Sequence, residues 1–171
     1  MHIFLDVDGV IAPWEPIDTR TSLDDEHVDF RLCLAGFNDA HLISVGPHTR
    51  DWVQRIAHHI VWATTWCLCV EDTIVPTFGL PPGLPNVGYD RLSATPQWGS
   101  CGKRLAIDSW RTAGAHEHTP FIWIDDDLGW RDRSWAKSTG VAHLLVRPRP
   151  NSGIEQSHIG AIDAFIKLHG G

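Results

Sequence analysis

Residues 121–127 read FIWIDDD: an apolar run, Phe121 to Ile124, passes without a break into Asp125, Asp126 and Asp127. A short run that is apolar at every position suits a strand covered on both faces, as in a parallel sheet. Three adjacent carboxylates at its end repel one another, and an unpaired carboxylate is costly to bury. Positive charge must therefore come from elsewhere in the chain or from a bound ion.

Two other segments share the pattern. Residues 2–6, HIFLD, form an apolar run that ends on Asp6, with Asp8 and Gly9 close behind, and residues 60–66, IVWATTW, end near Thr64 and Thr65. VAHLLVRP (141–148) supplies a fourth strand. Helical periodicity fills the gaps. HTRDWVQRIAHH (48–59) spaces Trp52, Val53, Ile56 and Ala57 along one face, with Thr49 as the expected N-cap. KRLAIDSWRTAG (103–114), RDRSWAKSTG (131–140) and the tail GIEQSHIGAIDAFIKLHGG (153–171) read as further helices. FRLCLAG (30–36) and HLISVG (41–46) read as a hairpin joined by FNDA, and residues 76–100, rich in Pro and Gly, as an irregular excursion. The expected architecture is α/β: a single Rossmann-like three-layer sandwich over residues 1–171, with a central parallel sheet. In such sheets ligands sit beyond the carboxyl ends of the strands, where Asp6, Asp8, Thr64, Thr65 and Asp125–Asp127 would collect, with Lys103 at a helix start nearby.

The bulk composition is that of a soluble globular chain: 171 residues, 43% hydrophobic and 20% charged. No apolar run is long enough to span a bilayer, and the N-terminus lacks the basic region of a signal peptide, so the chain reads as cytoplasmic. A net charge of −7 argues against broad electrostatic binding to nucleic acid but not against recognition of one phosphorylated end. The four cysteines, Cys33, Cys67, Cys69 and Cys101, form no disulfide framework and no CxxC pair, and CLC (67–69) reads as buried strand. WGSCGKR (98–104) is no P-loop: Gln97 stands where the first glycine is needed, and Arg104 follows Lys103 in place of Ser or Thr. His116 and His118 lack a matching pair of zinc ligands. Of the nine tryptophans most are expected in the core, while one at a site mouth could stack on a base.

Carboxylates gathered at strand ends make a hard-oxygen site suited to Mg2+, which takes one or two carboxylates together with substrate phosphate oxygens. One such carboxylate can attack phosphorus, and a hydroxyl with a lysine can cradle the phosphoryl group. A response-regulator receiver uses similar residues, but its acidic pair comes early and its lysine late, opposite to the order here.

The chain resembles the haloacid dehalogenase (HAD) superfamily of phosphohydrolases, whose four motifs occur in order. FLDVDGV (4–10) matches the hhhDxDG[TV] motif, IVWATTW the hydrophobic strand ending on Thr or Ser, Lys103 the lysine at a helix start, and FIWIDDD the strand ending in paired acids. The resemblance implies Asp6 as nucleophile and Asp8 as general acid and base. It implies Thr64, or Thr65 if the strand runs one residue further, as the phosphoryl-binding hydroxyl. Lys103 would neutralise charge. Mg2+ would be held by Asp6, the Asp8 carbonyl and Asp125, with Asp126 ligating or ordering its waters and Asp127 in a loop or cap. VWATTW, FIWIDDD and LLVRPRPNSGI further resemble the HAD domain of multi-domain bacterial RNA-repair proteins. That implies a phosphorylated RNA or DNA end, or a nucleotide, as substrate. The gaps between motifs are too small for a globular cap, which implies a capless enzyme with a hairpin flap and an open site. A phosphoprotein substrate in a groove lined by Trp14, Trp66 or Trp98, and a non-catalytic phosphate-binding module, are the alternatives.

Overall fold

The computed structural model describes residues 1–13, 26–31, 40–45, 47–66, 69–88 and 99–170. In chain order the elements are β1 (His2–Leu5), β2 (Glu26–Arg31), β3 (Ala40–Val45), α1 (Pro47–Ile56), β4 (Ile60–Trp62), α2 (Cys69–Asp72), α3 (Ile74–Phe78), α4 (Arg104–Ala113), β5 (Phe121–Ile124), α5 (Trp130–Ser138), β6 (His143–Val146) and α6 (Gln156–His169). Strands β1, β4, β5 and β6 form one parallel sheet in the order β4-β1-β5-β6.

Side-chain alternation along these strands creates two cores. Ile3, Leu5, Ile60, Trp62, Ile122, Ile124 and Val146 point to one face and pack with Trp52, Val53 and Ile56 of α1 and Ile159 and Ile162 of α6. Phe4, Val61, Phe121 and Trp123 point to the other and pack with Ile107 of α4 and Ala136 of α5. Both faces are therefore covered, which is why β1 and β5 are apolar at nearly every position. The result is the expected three-layer α/β sandwich. The connections position the site. From β1 the chain passes to β4 on one side, returns over β1 to β5, and then continues outward to β6. The strand order thus reverses between β1 and β5, and a crevice opens at their carboxyl ends.

Local details depart from the sequence reading. The antiparallel pair exists, but its first strand is Glu26–Arg31, with Arg31 opposite Ala40. The alternation Val28, Phe30 between polar neighbours extends the period-two pattern upstream of Phe30. Residues 32–39, which carry most of the expected FRLCLAG strand and the turn, lie outside the described residues. Helix α1 opens on Pro47, whose fixed φ and missing N–H suit the first helical position, so Thr49 lies inside the helix and is not its cap. Cys69 begins the short helix α2 and is not part of a strand. The first residues of the Pro/Gly-rich excursion belong to α3, Ile74–Phe78, which ends on Gly79 in the left-handed region; residues 79–88 are irregular, and 89–98 lie outside the described residues. Among the described residues, the gap between β1 and α1 holds only the β2–β3 pair. That between β4 and α4 holds α2 and α3, and among the described residues neither gap holds a globular cap. Among the described residues no helix is long and apolar enough to cross a membrane.

Candidate active site

The parallel ladder continues one residue past each strand. Asp6 N–H donates to the Ile124 carbonyl at 3.1 Å, and Asp125 N–H donates to the Val146 carbonyl at 3.1 Å. Asp6 and Asp125 therefore stand side by side at the mouth of the crevice, 4% and 0% exposed. After Asp6 the chain turns sharply, the Val7 carbonyl accepting from the N–H groups of Val10, Ile11 and Ala12. Gly9 sits in this turn at φ +66°, and a Cβ there would lie 2.5 Å from Asp126 Oδ2. Only glycine allows both the left-handed backbone and the approach of Asp126.

Carboxylate oxygens of Asp6, Asp125 and Asp126 all lie within 4.8 Å of one another. Into this group projects Lys103, 6% exposed, from the residue preceding α4. Its ammonium donates to Asp6 Oδ2 and, at 2.9 Å, to Asp125 Oδ2. The remaining oxygens are held by the backbone: Asp6 Oδ1 accepts from Val7 N–H at 2.8 Å, and Asp125 Oδ1 from Asp127 N–H at 3.0 Å. Among the described residues three carboxylates thus face one ammonium. The shortfall matches a divalent cation, and hard oxygen donors at this spacing fit Mg2+.

Electrostatics report the same shortfall. Burial pushes the Asp6 carboxyl up to about 7; Lys103 opposes the rise and the Asp125 charge adds to it. Asp126 is pushed up to about 6, by burial first and then by Asp125. For Lys103, burial disfavours the charge, but Asp6 and Asp125 outweigh it and hold the ammonium well above the ordinary lysine range. An unfolded Asp titrates near about 3.9. The folded metal-free protein therefore retains protons that the unfolded chain has released, and this contribution to stability is lost as pH rises from about 4 through about 7. His2, lowered by burial to about 4, acts in the opposite sense below the ordinary histidine range, so the informative comparison is with a variant. The melting temperature of the metal-free parent, relative to that of Asp6→Asn, is expected to fall between pH 5 and pH 8. A difference that is flat or rises would contradict the charge assignment.

The remaining expected residues fall around this centre. Thr64 lies two residues beyond β4; it is fully buried, and its Oγ1 accepts from Trp66 N–H at 3.3 Å, whereas Thr65 is partly exposed. Asp8 is partly buried on the turn after β1, and its carboxylate is not one of the three that converge. Asp126 joins the group while Asp127 is exposed, and Gly129, not Asp127, caps α5. Trp66 is 4% exposed, so it cannot line an open peptide groove; Trp14 and Trp98 lie outside the described residues.

Sequence reading passed over Asp132. It is fully buried in the first turn of α5 and accepts three hydrogen bonds: from Ser100 Oγ at 2.6 Å, Cys101 N–H at 3.0 Å and Gly129 N–H at 2.7 Å. These bonds tie the start of α5 to the loop that delivers Lys103. The two segments cross so closely that a Cβ on Gly129 would lie 2.0 Å from the Gly99 carbonyl oxygen. An acid in the first turn of a helix behind a glycine was the available sign, since such a residue favours the helix N-terminus. Gly129→Ala must separate two backbones and is expected to cost at least about 2 kcal/mol, lowering Tm by about 4–8 °C. Thermal melting checks this, and an unchanged Tm would show that the crossing is not tight.

Over residues 2–159 the chain matches the family described as "HAD domain in Swiss Army Knife RNA repair proteins". Searches of curated proteins and of solved structures gave no match.

Proposed function

The chain belongs to this family of HAD domains, and on that premise we propose that it is a Mg2+-dependent phosphohydrolase acting through an aspartyl-phosphate. The coarser reading, a phosphohydrolase of the HAD type taking a phosphorylated substrate, follows from the family. The observation that supports the rest is the buried group of Asp6, Asp125 and Asp126 closed by Lys103. We read residues 1–171 as one cytoplasmic catalytic domain whose substrate is a phosphorylated nucleic-acid end or nucleotide, in keeping with the family's description.

In this reading the Asp6 carboxylate attacks phosphorus. The bond to the leaving oxygen breaks, and Asp8 gives that oxygen its proton. Asp8 then takes a proton from water, whose oxygen attacks the phosphoryl group, and the Asp6–phosphorus bond breaks to free phosphate. Lys103 neutralises charge on Asp6 and on the phosphoryl oxygens, and Thr64 donates its hydroxyl to one of them. Asp6, Asp125 and Asp126, with the Asp8 carbonyl, would hold Mg2+, which would supply the missing positive charge and polarise the phosphoryl oxygens. Val7 N–H fixes the rotamer of Asp6, and Asp132 fixes the loop that carries Lys103.

Phosphate release with and without Mg2+ tests the proposal. The panel is an aryl phosphate, mononucleotides, RNA and DNA oligomers phosphorylated at the 3′ or 5′ end, and a phosphopeptide, with Asp6→Asn as control. Metal-dependent release, selective for one oligomer end and lost in the variant, is expected. Selective release from the phosphopeptide would move the substrate to proteins. Absence of release from every substrate would leave a phosphate-binding module.

A further inference from the structure

Beside the acidic centre, a surface groove of about 430 Å3 runs between α4 and α5, lined by Arg104, Trp130, Arg131, Ser134, Trp135 and Ser138. We propose that it seats the nucleotides adjoining the phosphorylated end of a single-stranded nucleic acid. A base would stack on Trp130, with backbone phosphates on Arg104 and Arg131. The location relative to the scissile phosphate rests on the phosphohydrolase reading above; the binding chemistry rests on the groove itself.

Topology places the groove. Helices α4 and α5 start at the carboxyl side of the sheet, so their N-terminal ends flank the crevice. Arg104 directly follows Lys103, and Trp130 opens α5 three residues after Asp127. A strand whose terminal phosphate lies at Asp6 would enter the groove past the N-terminal ends of α4 and α5.

Its chemistry is unlike that of the rest of the chain. The net charge is −7, yet among the described residues the lining holds two arginines and no carboxylate. A third arginine, Arg147, is fixed at the crevice by donating from Nε to the Asp126 carbonyl at 2.8 Å. Arg104, Arg131 and Arg147 thus gather at this end of the sheet. A local basic patch on an acidic protein favours an anionic polymer held at one place over broad coating of its backbone.

The aromatics are set for stacking. Trp52, Trp62, Trp66 and Trp123 are buried, whereas Trp130 is 54% exposed. Its ring is positioned all the same: a Cβ on Gly99 would lie 2.2 Å from its Nε1, and the Arg131 guanidinium stands 5.2 Å from the ring centroid. Trp135 is held by its Nε1–H donating to Asp108 Oδ1 at 3.2 Å. A rigid, half-open indole flanked by arginines binds a base face and its phosphates with little sequence preference. Its volume falls within the range of small-ligand sites.

The test uses Trp130→Ala and Arg131→Ala, with Leu168→Ala, on the exposed end of α6, as control and circular dichroism to confirm folding. Binding of a fluorophore-labelled single-stranded RNA octamer is followed by anisotropy in the Asp6→Asn background, with the DNA octamer and a phosphopeptide as separate arms. Trp130→Ala is expected to weaken the oligonucleotides about tenfold, the effect of one lost base stack. Arg131→Ala is expected to make the log–log salt slope shallower by about 0.7. In the active enzyme, Trp130→Ala should lower the preference for a phosphorylated oligomer over an aryl phosphate by a similar factor. Unchanged oligonucleotide affinity in a folded Trp130→Ala protein, or a groove dependence confined to the phosphopeptide, would overturn the proposal. The two readings fail separately. Groove-dependent binding with no phosphate release would sink the phosphohydrolase and keep the groove. Metal-dependent release from the aryl phosphate, with no oligonucleotide binding, would do the reverse.

Discussion

Asp6→Asn is expected to lower phosphate release by on the order of 10⁴-fold or more, as loss of a covalent nucleophile does, while leaving the metal-free protein at least as stable as before. The second half of this result is the distinctive one. In the parent, among the described residues, Asp6, Asp125 and Asp126 share a single ammonium, and burial already drives Asp6 towards its neutral form. An amide keeps the shape and removes one excess charge; its single oxygen can accept from Val7 N–H or from Lys103 but not from both, and Lys103 retains Asp125 at 2.9 Å. Active-site groups commonly oppose stability in this way. With Mg2+ the order should reverse. The parent gains stability by mass action, about 2.7 kcal/mol at a hundredfold excess over Kd, and for a chain of this size roughly 5–10 °C in Tm. The variant should gain much less. Calorimetry of both proteins with and without Mg2+ checks the pair of effects. A metal-free Tm well below that of the parent would mean that Asp6 is a structural anchor.

Lys103→Met is expected to have the largest effect on the fold itself. Among the described residues it removes the only group that donates to both Asp6 and Asp125, each almost wholly buried. Removing one partner of a buried ion pair costs about 3–5 kcal/mol, because the abandoned charge stays desolvated, which corresponds to a fall of about 6–20 °C in Tm. Mg2+ should restore part of this loss, since it addresses the same charge, and catalysis should still fall by about 10²–10³-fold. Lys103→Arg is no remedy: a planar fork does not fit where a compact ammonium bridges two carboxylates. Thermal melting at two Mg2+ concentrations, with release rates, reads both effects. Parent-like stability in a metal-free Lys103→Met protein would show that Lys103 does not balance the carboxylates.

The main lines of this centre were legible in the sequence for a simple reason. A strand buried on both faces must be apolar throughout, so the abrupt change from Ile124 to Asp125 or from Leu5 to Asp6 marks both the strand end and the site. Where neighbours in space decide, the sequence was less informative. Lys103 sits at the edge of an amphipathic helix and looks like any solvated lysine until Asp6 and Asp125 surround it. Asp132 reads as part of a polar helix face, and its three donors come partly from Ser100 and Cys101, some thirty residues away. Helices of four and five residues, such as α2 and α3, are too short for a period of 3.6 to declare itself. Nine tryptophans carry similar weight in a composition, and only packing separates Trp130 from the buried ones.

The most direct test is to look for phosphate on Asp6. The enzyme is mixed with Mg2+ and its best substrate, quenched with acid within a turnover, digested and mapped by mass spectrometry. The expected result is a phosphoryl group on the peptide containing Asp6, formed and lost at rates consistent with turnover, and absent in Asp6→Asn. Turnover with no phosphoryl group on Asp6, or with the group on another residue, would contradict the account.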